Sequence, residues 1–137
     1  MEPAAALADL IEISSQIETA AAFRTDGTTA DSLLASTFRD DALGARLVGS
    51  ARELLDASAA APGGEGRTLT QLEVALREGS VFVVRDDEIA IAATTTASPT
   101  AGLVLYDLRT CLRSLAPPPA EQSPAPRRRA KKAAADA

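Results

Sequence analysis

The stretch SVFVVRDDEIAIAATT, residues 80–95, decides the fold. Side chains alternate faces along a strand, so the unbroken apolar run SVFVV buries both of its faces, as does IAIAA after it. The acidic trio Asp86, Asp87 and Glu88 between them supplies a solvated turn. Two central strands are therefore expected. A sheet that is apolar on both faces needs helices on both, because it would otherwise leave that surface in water.

Working outward from this hairpin, Gly79 turns the chain back into RTLTQLEVALRE, residues 67–78. Here Thr70, Leu72, Val74 and Leu76 alternate with Gln71, Glu73 and Arg77, the pattern of an exposed or edge strand. Before it, residues 40–61 change to the helical period, with Leu43, Leu47, Val48, Ala51, Leu54, Leu55 and Ser58 on one face. Asp40 or Asp41 can accept from the first-turn amides, and the small residues Gly44, Gly49 and Ser50 allow another backbone to approach. PGGEG, residues 62–66, ends that helix. Earlier still, QIETAAAFR alternates Ile17, Thr19, Ala21 and Phe23 as a strand. Asp26 and Gly27 turn it, residues 28–31 lengthen the loop, and SLLAST, residues 32–37, forms the second strand of the hairpin. Pro3, Leu7, Leu10 and Ile11 set a first helix to about Ser15.

Downstream, Ser98 and Pro99 have the form of a helix cap and first turn, followed by Val104, Leu105, Leu108, Leu112 and Leu115 at helical spacing. The helix is expected to stop before Pro117, Pro118 and Pro119. The chain thus divides into an α/β domain over residues 1–116 and a Pro- and Ala-rich basic tail over residues 117–137, whose composition is that of a solvated, disordered segment.

Composition narrows the function. Residues 1–116 hold 9 basic and 17 acidic residues, and residues 117–137 hold 5 and 2. Nucleic acid or an anionic membrane is therefore reachable only through the tail patch Arg127, Arg128, Arg129, Lys131 and Lys132, which serves equally as a solubilising terminus. No Trp is present, and Phe23, Phe38, Phe82 and Tyr106 are too few to stack single-stranded bases. The chain has no His to act as base or ligand, and its lone Cys111 falls near the apolar face of the last helix, where core packing is its expected role. PGGEG follows a helix and lacks the Lys and Ser or Thr of a phosphate loop. Asp86, Asp87 and Glu88 read as a solvated turn, and Thr94, Thr95 and Thr96 as strand-end residues. No catalytic, cofactor or metal site is expected, and no small-molecule substrate. An acid at position 2 and Asp9 break any export signal, so a cytoplasmic setting is expected.

The order helix, two strands, long helix, three strands, helix resembles the roadblock family of dynein light chains and bacterial GTPase regulators. SQIETAAAFRTDG resembles the family's first strand and turn, SVFVVRDDEIAIAATT its last hairpin, and SPTAGLVLYDLRTCLRSL its loop and closing helix. The resemblance covers about residues 7–115. It implies a profilin-like α+β sandwich: a five-stranded antiparallel sheet with the long helix on one face and the two terminal helices on the other. It also implies a homodimer made by the third strand and the long helix, here Leu47, Val48, Ala51, Leu69, Gln71 and Glu73. A non-catalytic regulator of a small Ras-like GTPase follows, with Arg46, Arg52 and Glu53 on the long helix as a candidate partner surface. The alternative is a scaffold or adaptor subunit of a larger assembly.

Overall fold

The structure, a computed structural model, describes residues 1–26, 32–63 and 69–115. The Gly27 turn position, the loop at 28–31, the end of PGGEG and the basic tail lie outside the described residues. The elements run α1 (Pro3–Ile13), β1 (Ile17–Arg24), β2 (Leu33–Ser36), α2 (Asp41–Ala60), β3 (Gln71–Ala75), β4 (Ser80–Arg85), β5 (Ile89–Thr95) and α3 (Ala101–Leu115). The strands form one antiparallel sheet in the order β2-β1-β5-β4-β3.

The central hairpin is as its pattern requires. Phe82 and Val84 of β4 and Ile91 and Ala93 of β5 join one core, with Leu7 and Leu10 of α1 and Val104, Leu108 and Leu112 of α3. Val83, Ala90 and Ala92 point the other way, into a second core with Val48, Ala51 and Leu55 of α2. Each face of the sheet is thus covered by helix, which is what an apolar run of both parities demands. Asp86 shapes the turn, its carboxylate accepting from the amides of Glu88 and Ile89 at 2.8 Å. Where β4 begins, Gly79 lies so near the Thr95 carbonyl oxygen that a Cβ would collide with backbone.

Two details depart from the sequence reading. Ile17 was expected on the side of Ala21 and Phe23, but a bulge between Ile17 and Thr19 shifts the register against β5 and delivers Ile17 to the other core. One inserted residue flips every side chain beyond it. Ser98 is not a helix cap: its φ of 52° is left-handed, whereas a capping residue is extended. The helix starts later. Thr100 offers its carbonyl to the amides of Leu103 and Val104, and its own amide donates to Gln16 Oε1.

Asp40 caps α2 as expected, its carboxylate accepting from Ala42 N at 2.9 Å. The buried stripe of α2 is Gly44, Val48, Ala51 and Leu55. Gly44 lies against Ser36, where a Cβ would come within 2.7 Å of its hydroxyl, so α2 sits tightly on β2. Leu43, Leu47 and Leu54 form a neighbouring stripe that the sheet does not fully cover.

Candidate interaction surface

α2 packs on β1, β2 and β5, toward one side of its face of the sheet. Beyond it are β4 and the edge strand β3. Direct pairing of Leu72 with Val83 and of Val74 with Val81 puts both β3 side chains on the α2 side of the sheet. Leu72, Val74 and Val81 are half-buried, as are Leu47 and Leu69, which pack against the same core. Leu43 is 42% exposed and Leu76 59% exposed. An incompletely covered apolar strip therefore lies beside a sheet edge whose outer backbone groups have no strand partner among the described residues.

The expected interface residues separate into three groups. Leu47 and Leu69 belong to this strip. Val48 and Ala51 do not: both are fully buried against the sheet, so a second molecule cannot touch them without opening the protomer. Gln71 and Glu73 are exposed, but their register with Val84 and Phe82 turns them toward the terminal helices. There Gln71 Oε1 accepts from Arg109 of α3. The residues that carry the apolar surface on β3, Leu72 and Val74, are visible in the alternation as its apolar side.

Of the three charged candidates on α2, Arg46 and Glu53 are exposed. Arg52 is committed elsewhere. Its guanidinium donates to the carbonyls of Arg24, Thr25 and Asp26, at 2.6 to 3.2 Å, and lies over the Phe23 ring. A fork of donors on three successive carbonyls anchors the end of β1 to the long helix, a role for which Arg geometry is suited. Arg52 is therefore a structural clamp and offers no free charge to a partner.

Cys111 is buried, with its thiol donating to the Ala6 carbonyl at 3.5 Å. Burial first, and the nearby Asp9 carboxylate second, push the thiol up from 9.0 to about 11. A thiol held neutral in this way is a poor nucleophile. Thr95, in turn, is a buried structural link: its hydroxyl accepts from Ser80 N at 3.1 Å and donates to the Thr96 carbonyl at 2.9 Å. No helix among the described residues is long and apolar enough to cross a membrane.

A five-stranded antiparallel sheet in this order, with one long helix on one face and two terminal helices on the other, is the roadblock-type α+β fold. Two Roadblock/LC7 domains of Streptomyces avermitilis share it. The first superposes with a TM-score of 0.71 at 17% identity, over 83% of this chain and 94% of that one. The second gives 0.61 at 16% identity, over 81% and 95%. MglB of Myxococcus xanthus superposes with a TM-score of 0.67 at 11% identity, over 83% of this chain and 84% of that one. No family model matches the sequence, and no curated protein matches it. The kinship is thus one of fold.

Proposed function

We propose that this chain is a non-catalytic, dimerising regulator of a small Ras-like GTPase, acting in the cytoplasm. The observation that carries the reading is the half-covered apolar strip of Leu47, Leu69, Leu72 and Val74 beside the open edge of β3. Exposed apolar surface next to unpaired strand amides is costly to leave in water and suits a second β3 laid antiparallel to the first. Pairing of that kind continues the sheet across two copies and brings the two α2 helices together. The sequence resemblance to bacterial GTPase regulators supplies the partner class. Arg46 and Glu53, exposed on α2, remain the charged groups offered to that partner.

Sedimentation equilibrium of the full chain at micromolar concentration tests the dimer, with a twofold mass expected. Retrieval of the partner from the native cell, followed by assay of its nucleotide cycle, tests the rest. A stable multi-protein assembly without a GTPase would favour the scaffold reading instead.

A further inference from the structure

On the opposite face of the sheet, α1 and α3 lie side by side with a groove of about 310 Å³ between them. Its lining includes Met1, Leu10, Ile13 and Tyr106, with Asp9 and Asp107 at its rim. Three of these are large apolar groups left in water: Met1 is 63% exposed, Ile13 71% and Tyr106 63%. The groove plays no part in the proposed dimer, which lies across the sheet from it.

Two features say what covers it. The first is position. The groove is closed at one end by Met1 and Ser114, whose backbones are joined by a hydrogen bond of 2.9 Å, and α3 stops one residue later at Leu115. The described chain therefore ends beside the groove, and residues 116–137 follow Leu115 in the sequence. They begin with Pro117, Pro118 and Pro119 and continue with Pro124 and Pro126 before the basic run. In polyproline geometry, at about 3.1 Å per residue, residues 117–126 span roughly 30 Å. The eleven residues of α1 measure only about 16 Å along the helix axis, so the segment is long enough to turn back along the groove.

The second is charge. Asp9 of α1 and Asp107 of α3 are the acidic side chains that line the groove, no basic side chain among the described residues lines it, and the Met1 ammonium at its end is taken up by the Ser114 carbonyl. Arg113, on the same helix, is turned to the Thr110 hydroxyl. The five cations Arg127, Arg128, Arg129, Lys131 and Lys132 are opposite in sign to this pair of carboxylates.

We propose that the groove between α1 and α3 is the docking site for this chain's own residues 116–137. The proline-rich part packs on Ile13 and Tyr106, as extended proline segments pack in aromatic grooves. The basic run lies along Asp9 and Asp107. Docking in cis covers the exposed apolar groups and withholds the basic run from polyanions, and added salt releases it.

The protein carries its own probe, because Tyr106 is the only Tyr and there is no Trp. Acrylamide quenching of Tyr106 fluorescence is measured on the full chain. It is compared with a full-length variant in which Arg127, Arg128, Arg129, Lys131 and Lys132 are all changed to Glu, with far-UV circular dichroism confirming equal folding. With the ring face covered, the wild-type quenching constant should be roughly half that of the variant at low salt. In about 1 M NaCl, where the Debye length is about 3 Å, the wild type should rise toward the variant. The salt titration of the wild type stands alone even if the variant folds poorly. Equal quenching of the two proteins at low salt, or a wild-type constant unmoved by salt, would overturn the proposal. So would protection of Tyr106 that disappears on dilution, which would assign it to the tail of another copy.

Discussion

The Arg52 guanidinium lies 5.6 Å from the centroid of the Phe23 ring, and from there it reaches the three carbonyls that end β1. Phe23 is fully buried in the α2 core. One side chain thus couples the long helix, the second core and the exit of the first strand. Replacing it leaves several carbonyls to be satisfied by water and removes the cation from the ring. Arg52→Ala should lower unfolding stability by about 1–3 kcal/mol, read as a shift of the urea midpoint. Arg52→Lys, which keeps the charge but loses the planar fork, should recover only part of that. An unchanged midpoint in the Ala variant would remove the clamp.

Thr95 makes the same kind of case at the opposite end of the sheet. Thr95→Val keeps the shape but strips the acceptor from the buried Ser80 amide. Loss of about 1–3 kcal/mol is expected. Thr95→Ser, which retains the hydroxyl, should lie close to wild type in the same denaturation experiment, and equal losses from both would point to packing instead.

These residues show what was legible in the chain and what was not. The hairpin of β4 and β5 could be read because apolar residues of both parities leave no other arrangement. The long helix was legible in extent, but a helical period does not say which arc of it meets the sheet. Leu47, Val48 and Ala51 therefore looked equivalent, although Gly44, by letting α2 close on Ser36, turns Val48 and Ala51 inward and leaves Leu47 at the border. Ile17 was misplaced because a bulge has no side-chain signature, and Ser98 because the pair Ser-Pro resembles a cap whatever its backbone does. Arg52 was taken for surface, since no local pattern announces three carbonyls supplied by a distant strand.

The Cys111 thiol links packing to pH. Its folded value of about 11 lies above the ordinary 9.0. The unfolded chain therefore releases this proton first, and the folded state binds more protons between those values. Stability from this group is fully present below about pH 9 and falls as pH rises toward about 11. The loss of stability between pH 8 and pH 10.5 should be larger in wild type than in Cys111→Ala. A steeper loss in the Ala variant would contradict the assignment. In keeping with a neutral thiol, a disulfide reagent at pH 8 should modify native Cys111 far more slowly than the denatured chain.

At the β3 edge, Leu72→Asp sets a charge on the half-buried strip without altering backbone pairing to β4. Sedimentation equilibrium should show the wild type at twice the monomer mass and the variant shifted to monomer, with the circular dichroism of both alike. Because Glu73 faces the other side of the sheet, Glu73→Lys should leave the mass unchanged. Dimers of undiminished strength in Leu72→Asp would remove this strip from the interface.

Nucleotide turnover tests the central claim most directly. The immobilised full chain is used to retrieve partners from the native cell, and any guanine-nucleotide-binding protein recovered is purified. Its GTP hydrolysis and nucleotide release are then timed with and without added chain. The account predicts that the chain alone turns over no GTP, that the partner's rate changes when the chain is added, and that Leu72→Asp weakens this effect. A purified GTPase partner whose hydrolysis and release are both unaltered by the chain would contradict it, as would recovery of a stable assembly that contains no GTPase.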